Sequence, residues 1–430
     1  MFSRTIYLTL FLLLTLVGCS QNTLPLTEKK EEPIPFNQED EYILFAIEYT
    51  NQGQYDMSRD LYFQLFEKTK KYEYLLRSLR FSLEIKDFEF AKTNSKNHLN
   101  KELKEYEELY RVYIVALINL YEYDEALKHA KILLKQYDNI INTELLGNVY
   151  YLRKDFYEAA DYFESAYSAN GNPNTLLNLV NILYAFTNEK QKAISYLETH
   201  VRLKSCDIAV CAKLLSIYEE QQNIDGVISI LKRMYTKFKD EEDLKSMIKV
   251  YTMLIDYLEQ KDINAAIKFL EENRVDDMKL VTLYKRANKI EKALELVKHL
   301  YKVNKNLDLL AQIAILEFEV APDKTVVLSS VIQKFEDVLA VLDNHIYQNY
   351  LGYILIDYDI DVPKGLDLIK KALEKAPNNL AYIDSLAWGL YKQNSCQEAL
   401  KYMEKIVNAI GLKDEEIKYH WEKIQECSAK

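Results

Sequence analysis

Three features of the sequence predict an all-α fold built from repeated helix pairs. Gly contributes 9 and Pro 7 of 430 residues, roughly 2% each against usual values near 7% and 5%. Strand-rich and Rossmann-like folds spend both residues on turns, so neither class fits. Apolar residues make up 49% and charged residues 28%, enough to bury a core along most of the chain. A small residue also recurs with a mean spacing of 34.1 residues from Ser58 to Ala399. Together these predict an α-solenoid of about 11 helix pairs with a C-terminal capping helix. The 34 tyrosines suit helices that pack half-wet aromatic faces.

The elements follow in chain order. Met1-Phe2-Ser3-Arg4 carries one positive charge, and Thr5 to Val17 is an apolar run of about 13 residues. Crossing a bilayer takes roughly 20, so the run has the size of a signal-peptide core. It ends in Leu16-Val17-Gly18-Cys19-Ser20, which resembles a bacterial lipobox. The resemblance implies that residues 1–18 are removed, that Cys19 is acylated, and that several acyl chains anchor the protein to a membrane. Ser20 in place of Asp implies export to the outer membrane, on its periplasmic side. Residues 19–40 are then the lipidated Cys and a flexible tether, polar and broken by Pro25, Pro33 and Pro35.

Residues 41–410 carry the repeat. Leu146, Gly147, Tyr150, Ala159, Phe163 and Ala166 stand at places that resemble the tetratricopeptide repeat, whose period is 34. Taking the small residue of each second helix as anchor gives Ser58, Ala91, Ala126, Ala159, Ala193, Val227, Ala266, Ala293, Val327, Gly365 and Ala399. Val327 matches poorly after Pro322. Residues 411–430 form the cap and tail, with Ile417, Trp421 and Ile424 on one stripe. One pair cannot bury its apolar face alone, so neighbours stack, and first helices should line a concave face.

A narrower resemblance lies in Asn349-Tyr350-Leu351-Gly352-Tyr353, Ala376-Pro377-Asn378 and Asp384-Ser385-Leu386-Ala387-Trp388. This pattern resembles the C-terminal repeats of proteobacterial outer-membrane tetratricopeptide lipoproteins. One such protein is an adaptor that binds a periplasmic carboxyl-terminal processing protease and delivers substrates to it. The resemblance implies a membrane-anchored scaffold for protein partners, among them such a protease and its substrates. The competing expectation is a subunit of an envelope machine for pili, secretion, motility or outer-membrane protein assembly.

The search for chemistry is mostly negative, and the expectation is no enzyme, no cofactor and no metal. The sequence has no His-Glu-x-x-His, Gly-x-Ser-x-Gly or phosphate-binding Gly-x-x-x-x-Gly-Lys motif. A net charge of −11 leaves no electrostatic footprint for nucleic acid. Six histidines lie far apart and read as packing or solvated side chains. Asp357, Asp359 and Asp361 resemble the start of a calcium loop, but Val362 and Leu368 stand where Gly and Glu are needed. They read as a polar turn.

Groove positions on first helices are Glu144, Asn148, Tyr151, Asn178, Ile182, Phe186, Asn349, Tyr353, Asp384, Trp388 and Tyr391. Exposed Asn and aromatic side chains there suit extended peptides. For Trp388 and Tyr391 the alternative is packing against the next helix. Cys206 and Cys211 are free or locally bridged. Cys396 starts a second helix and Cys427 ends the antiparallel cap, so this pair is the candidate disulfide.

Overall fold

The computed structural model describes residues 36–429. The lipobox, Cys19 and the tether up to Pro35 lie outside them. The chain divides into two compact units at Glu220 and Gln221. Unit one holds α1 (Glu39–Asn51), α2 (Tyr55–Thr69), α3 (Tyr72–Glu84), α4 (Phe88–Asn97), α5 (Tyr106–Asn119), α6 (Tyr123–Gln136), α7 (Ile140–Arg153), α8 (Phe156–Asn170), α9 (Pro173–Ala185), α10 (Lys190–Lys204) and α11 (Ile208–Glu220). Unit two holds α12 (Ile224–Asp240), α13 (Leu244–Lys261), α14 (Ile263–Asn273), α15 (Asp277–Arg286), α16 (Ile290–Asn304), α17 (Leu307–Val320), α18 (Leu328–Leu339), α19 (His345–Asp357), α20 (Val362–Lys375), α21 (Leu380–Lys392), α22 (Cys396–Ile410) and α23 (Glu415–Ser428). Among the described residues, unit one thus holds five first–second helix pairs and the first helix α11, and unit two holds the second helix α12, five pairs and the closing helix α23. None of these helices is long and apolar enough to cross a membrane.

Each second helix opens the same way. The anchor is its fourth residue, and the anchor N–H bonds the carbonyl four residues back: Ala91 to Asp87, Ala159 to Asp155, Ala293 to Lys289. Most anchors are fully buried, as at Ser58, Ala91, Ala126, Ala159, Ala193, Ala266, Ala293 and Ala399. A small side chain there lets the paired backbones approach. One anchor needs correction. Val327 is the N-cap of α18, and the anchor of the ninth pair is Val331, fully buried. The 3₁₀ turn Lys324–Val326 pushes the helix start four residues on, which a count from Ala293 could not register.

Turns explain how so few glycines suffice. Lys86, Tyr121, Lys154, Asn188, Gln222, Asn288 and Asn394 all take the left-handed conformation two residues before a second helix. Only Gly53 does so without a side chain. A side chain costs about 1 kcal/mol there. Lys154→Gly, at φ 70°, should therefore raise stability by about 0.5–1 kcal/mol, read as a higher urea midpoint.

Five first helices begin on asparagine. Asn139, Asn172, Asn306, Asn344 and Asn379 each accept from main-chain N–H groups of the first turn, satisfying donors the helix leaves open. Tyrosines join neighbouring pairs. Tyr196 donates to Glu164 at 2.5 Å, Tyr218 to Glu198 at 2.5 Å, Tyr284 to Glu271 at 2.7 Å and Tyr347 to Asp308 at 2.9 Å. Burial, with the carboxylate beside it, holds these phenols well above their usual range. An apolar ring under a hydroxyl with a partner is what a half-buried seam needs.

Candidate protein-binding face

Within each unit, first helices of neighbouring pairs touch, as α3 does α5, α9 does α11 and α19 does α21. The exposed flank of these helices is the candidate face. In unit one it includes a paired polar network. Arg111 Nε donates to Asn142 Oδ1 at 2.8 Å, and Asn139 and Asn142 donate to Glu107 at 2.8 and 3.0 Å. Glu144 accepts from Asn170 at 3.3 Å and also from Thr175. These groups tie pairs together, and Asn142 is 1% exposed.

Tyr151 and Phe186 come together, and Phe156 joins them. The rings of Phe156 and Phe186 stack at 4.2 Å, and Tyr151 meets Phe186 edge-on at 5.8 Å. Phe186 remains 46% exposed, with Asn148 half-buried on the same helix as Tyr151. Tyr157, the neighbour of Phe156, is 64% exposed. This aromatic step, open to solvent, is the part of the face best suited to a partner.

The ninth helix corrects two expectations. Leu179, Val180 and Leu183 take the buried places that Leu146, Gly147 and Tyr150 take in α7. That offset is 33, because the turn before α10 holds an additional residue. Ile182 is consequently buried at 2% and lines no groove. Asn178 falls in the register of Leu145 and is half-buried. The residues that do fall on the face are Asn181, exposed, and Tyr184, half-buried. Lys190 and Lys213 lie 4.6 and 5.9 Å from the Tyr184 ring centre, and burial lowers the Lys213 pKa. Counting back from the second helix, after allowing for turn length, would have found them.

In unit two the face is covered at its end. Trp388 is 4% and Asp384 8% exposed, so Trp388 is not an open groove residue. The helix α23 lies against α21 and α22 and brings His420 onto the Trp388 ring at 4.1 Å. His420 Nδ1 is 3.0 Å from Asp384 Oδ2. Tyr391, half-buried, stacks on Trp388 at 4.8 Å. The Trp388 Nε1–H donates to Asp357 at 3.0 Å. Tyr353 donates to Glu416 of α23, and burial and that carboxylate hold its phenol far above the usual range. Asn349 remains half-buried beside them. The sequence placed Trp421 on an apolar stripe and left groove and packing open for Trp388, but nothing in it says on which side of α21 the last helix runs.

The turn carboxylates each have their own partner. Asp357 accepts from Trp388, Asp359 pairs with Lys392 at 2.7 Å, and Asp361 caps α20 through the Lys364 N–H. Cys206 and Cys211 are bridged and buried. Cys396 and Cys427 are bridged with Cα atoms 5.5 Å apart. Three histidines meet tyrosine hydroxyls: His129 with Tyr110 at 2.7 Å, His200 with Tyr167 and His345 with Tyr382 at 2.9 Å. Burial depresses the pKa of His129 and His200. An open cleft at α14–α16 is lined by Glu271, Arg274, Tyr284, Lys292, Glu295 and His299. Two of its cations are paired, Lys292 with Glu271 and Arg274 with Asp277.

No protein-family model matches the chain, and no curated protein does. Solved structures similar to it include the APC/C hetero-tetramer Cut9–Hcn1, at 12% identity over 90% of this chain and 96% of that one, TM-score 0.35. A thermophilic TPR protein of Thermus thermophilus is similar at 17% identity over 41% of this chain and 97% of its own, TM-score 0.33. The TPR domain of P58(IPK) is similar at 13% identity over 91% and 98%, TM-score 0.28. Likeness this distant says nothing about partners. The helix-pair architecture rests on the chain's own period and packing, which have the length and layout of the tetratricopeptide repeat.

Proposed function

We propose that the chain is a non-catalytic scaffold that holds protein partners against its first-helix faces while anchored to a membrane through Cys19. The observation that carries the reading is the solvent-open aromatic step of Tyr151, Phe156 and Phe186 beside Asn148. Aromatic rings next to neutral amides grip an extended peptide by stacking and main-chain hydrogen bonds. The resemblance of residues 349–407 extends the proposal to an adaptor at the periplasmic side of the outer membrane. There it would bring substrates to a carboxyl-terminal processing protease. Tyr353, Trp388 and Tyr391 then serve that end of the chain by seating the last helix.

The test is capture of a catalytically dead processing protease, and of substrate trapped with it, by tagged full chain from cell envelopes. Replacing Tyr151 and Phe186 together by Ala should reduce recovered substrate about tenfold, as loss of a central aromatic anchor does. Cys19→Ala should move the chain out of the outer-membrane fraction. Recovery of neither protease nor substrate would overturn the adaptor reading. An unchanged yield from the double variant would overturn the placement of the face.

A further inference from the structure

We propose that Lys213 reads an acidic side chain of an extended partner segment whose aromatic residue sits on the step of Tyr151, Phe156 and Phe186. This rests on the peptide-binding reading of the same face and narrows its partner to an acidic–aromatic segment. Lys213 is half-buried on α11, which touches α9. Fourteen residues before the anchor, the same register in α15 is held by Lys279. Lys279 pairs with Glu259 of α13, the first helix before it, at 2.5 Å. The first helix before Lys213 is α9, and its residues Pro173–Ala185 include no acidic side chain. Lys213 finds the Tyr184 ring there instead, 5.9 Å from its ammonium. Glu220, the carboxylate that opposes its burial, is hydrogen-bonded to Tyr184 and lies 3.6 Å from Lys190. Lys92, Lys192 and Lys375 each bond a carboxylate that raises their pKa, whereas burial lowers that of Lys213. A desolvated ammonium beside neutral groups is costly until a carboxylate joins it.

Geometry sets the spacing and the source of that carboxylate. Phe186 follows Tyr184 by two residues at the end of α9. It turns to Tyr151 and Phe156 of the preceding pair, while Tyr184 turns to Lys213 of the following one. Neighbouring first helices lie about 10 Å apart, which an extended chain covers in about three residues at ~3.3 Å each. Chain ends are captured by clusters of free main-chain N–H groups. Lys213 and Tyr184 stand inside α11 and α9, where those groups are spent on the helix. A lone ammonium suits one side-chain carboxylate on a chain that runs on. The net charge of −11 adds no long-range attraction for such a segment, so recognition rests on this contact.

Selection of randomised short peptides on the immobilised full chain in detergent tests the assignment. The wild type should enrich an aromatic residue with Asp or Glu about three positions away. An enriched peptide remade with Gln or Asn in place of its acid should bind about tenfold more weakly, as loss of a charged hydrogen bond does. Lys213→Met, with unchanged helical circular dichroism, should bind both peptides equally and keep the aromatic requirement. Tyr151→Ala with Phe186→Ala should remove that requirement. Aromatic enrichment without an acid, or a Lys213→Met variant that still prefers the acid, would overturn the role of Lys213 and leave the aromatic step standing. Binding abolished by amidating the peptide's C-terminus, and not by the Gln or Asn exchange, would overturn the side-chain assignment. Enrichment indifferent to the double variant, or no enriched peptide at all, would overturn the face itself.

Discussion

Trp388→Ala should destabilise the last helix pairs by about 3–5 kcal/mol, the usual cost of emptying a buried aromatic site. The indole is 4% exposed and stacks on both Tyr391 and His420. Its removal opens a cavity between α21 and α23. Because contacts in such a stack are between neighbours, the loss should stay local. Amide exchange in α21, α22 and α23 should speed up by about 100-fold or more, while amides of unit one hold their rates. The Cys396–Cys427 bridge keeps α23 tethered, so the helix should loosen without leaving. Trp388→Phe separates two contributions. It keeps a ring for His420 but removes the N–H that Asp357 accepts, at a cost of about 1.5–3 kcal/mol for a hydrogen bond to a charged group. A loss under about 1 kcal/mol for Trp388→Ala would mean that the ring is not a core anchor, and the open-groove reading would return.

The places where sequence reasoning succeeded and failed have a common cause. Period survives averaging, so the helix pairs were readable from the recurring anchors, and the closing helix from its own apolar stripe. Local turn length does not survive it. One additional residue before α10 moved Ile182 into the core and Asn178 off the face. The 3₁₀ turn before α18 moved the ninth anchor from Val327 to Val331. The first error is a rotation of about 100° around the helix, enough to exchange inside for outside, and the second is a shift of about one turn along it, from the N-cap to the buried fourth residue. Trp388 is a different case, because the sequence left groove and packing both open and the structure packs it. Its burial depends on where α23 docks, a long-range packing choice set by His420, Glu416 and Asp384 together, none of which advertises a partner in sequence. The aromatic step needed the same information, since Phe156 and Phe186 meet only when two neighbouring turns are superimposed.

Gly365→Ala should destabilise the tenth pair by about 2–3 kcal/mol, against the general expectation that Gly→Ala inside a helix gains up to about 1 kcal/mol. The reason is the approach of α19 and α20. A Cβ on Gly365 would lie 2.7 Å from the Gly352 carbonyl oxygen and 2.7 Å from Ile356 Cγ1. A Cβ on Gly352 would lie 2.8 Å from the Gly365 carbonyl oxygen. Main-chain oxygens cannot swing aside as side chains do, so the two helices must separate along their length and give up packing that neighbours on both sides share. Gly352→Ala should cost a similar amount, and the double variant less than twice as much, because one separation serves both. Gly147 provides the control. A Cβ there meets Phe163 Cε2 and Tyr162 Cβ at 3.3 Å, where a ring can shift by a few tenths of an ångström. Gly147→Ala should therefore fall near neutral, helix propensity offsetting a small repacking cost. Urea midpoints for the three single variants decide the matter. If Gly365→Ala proves as stable as wild type while Gly147→Ala does not, close backbone approach is not what the small residue at the anchor supplies.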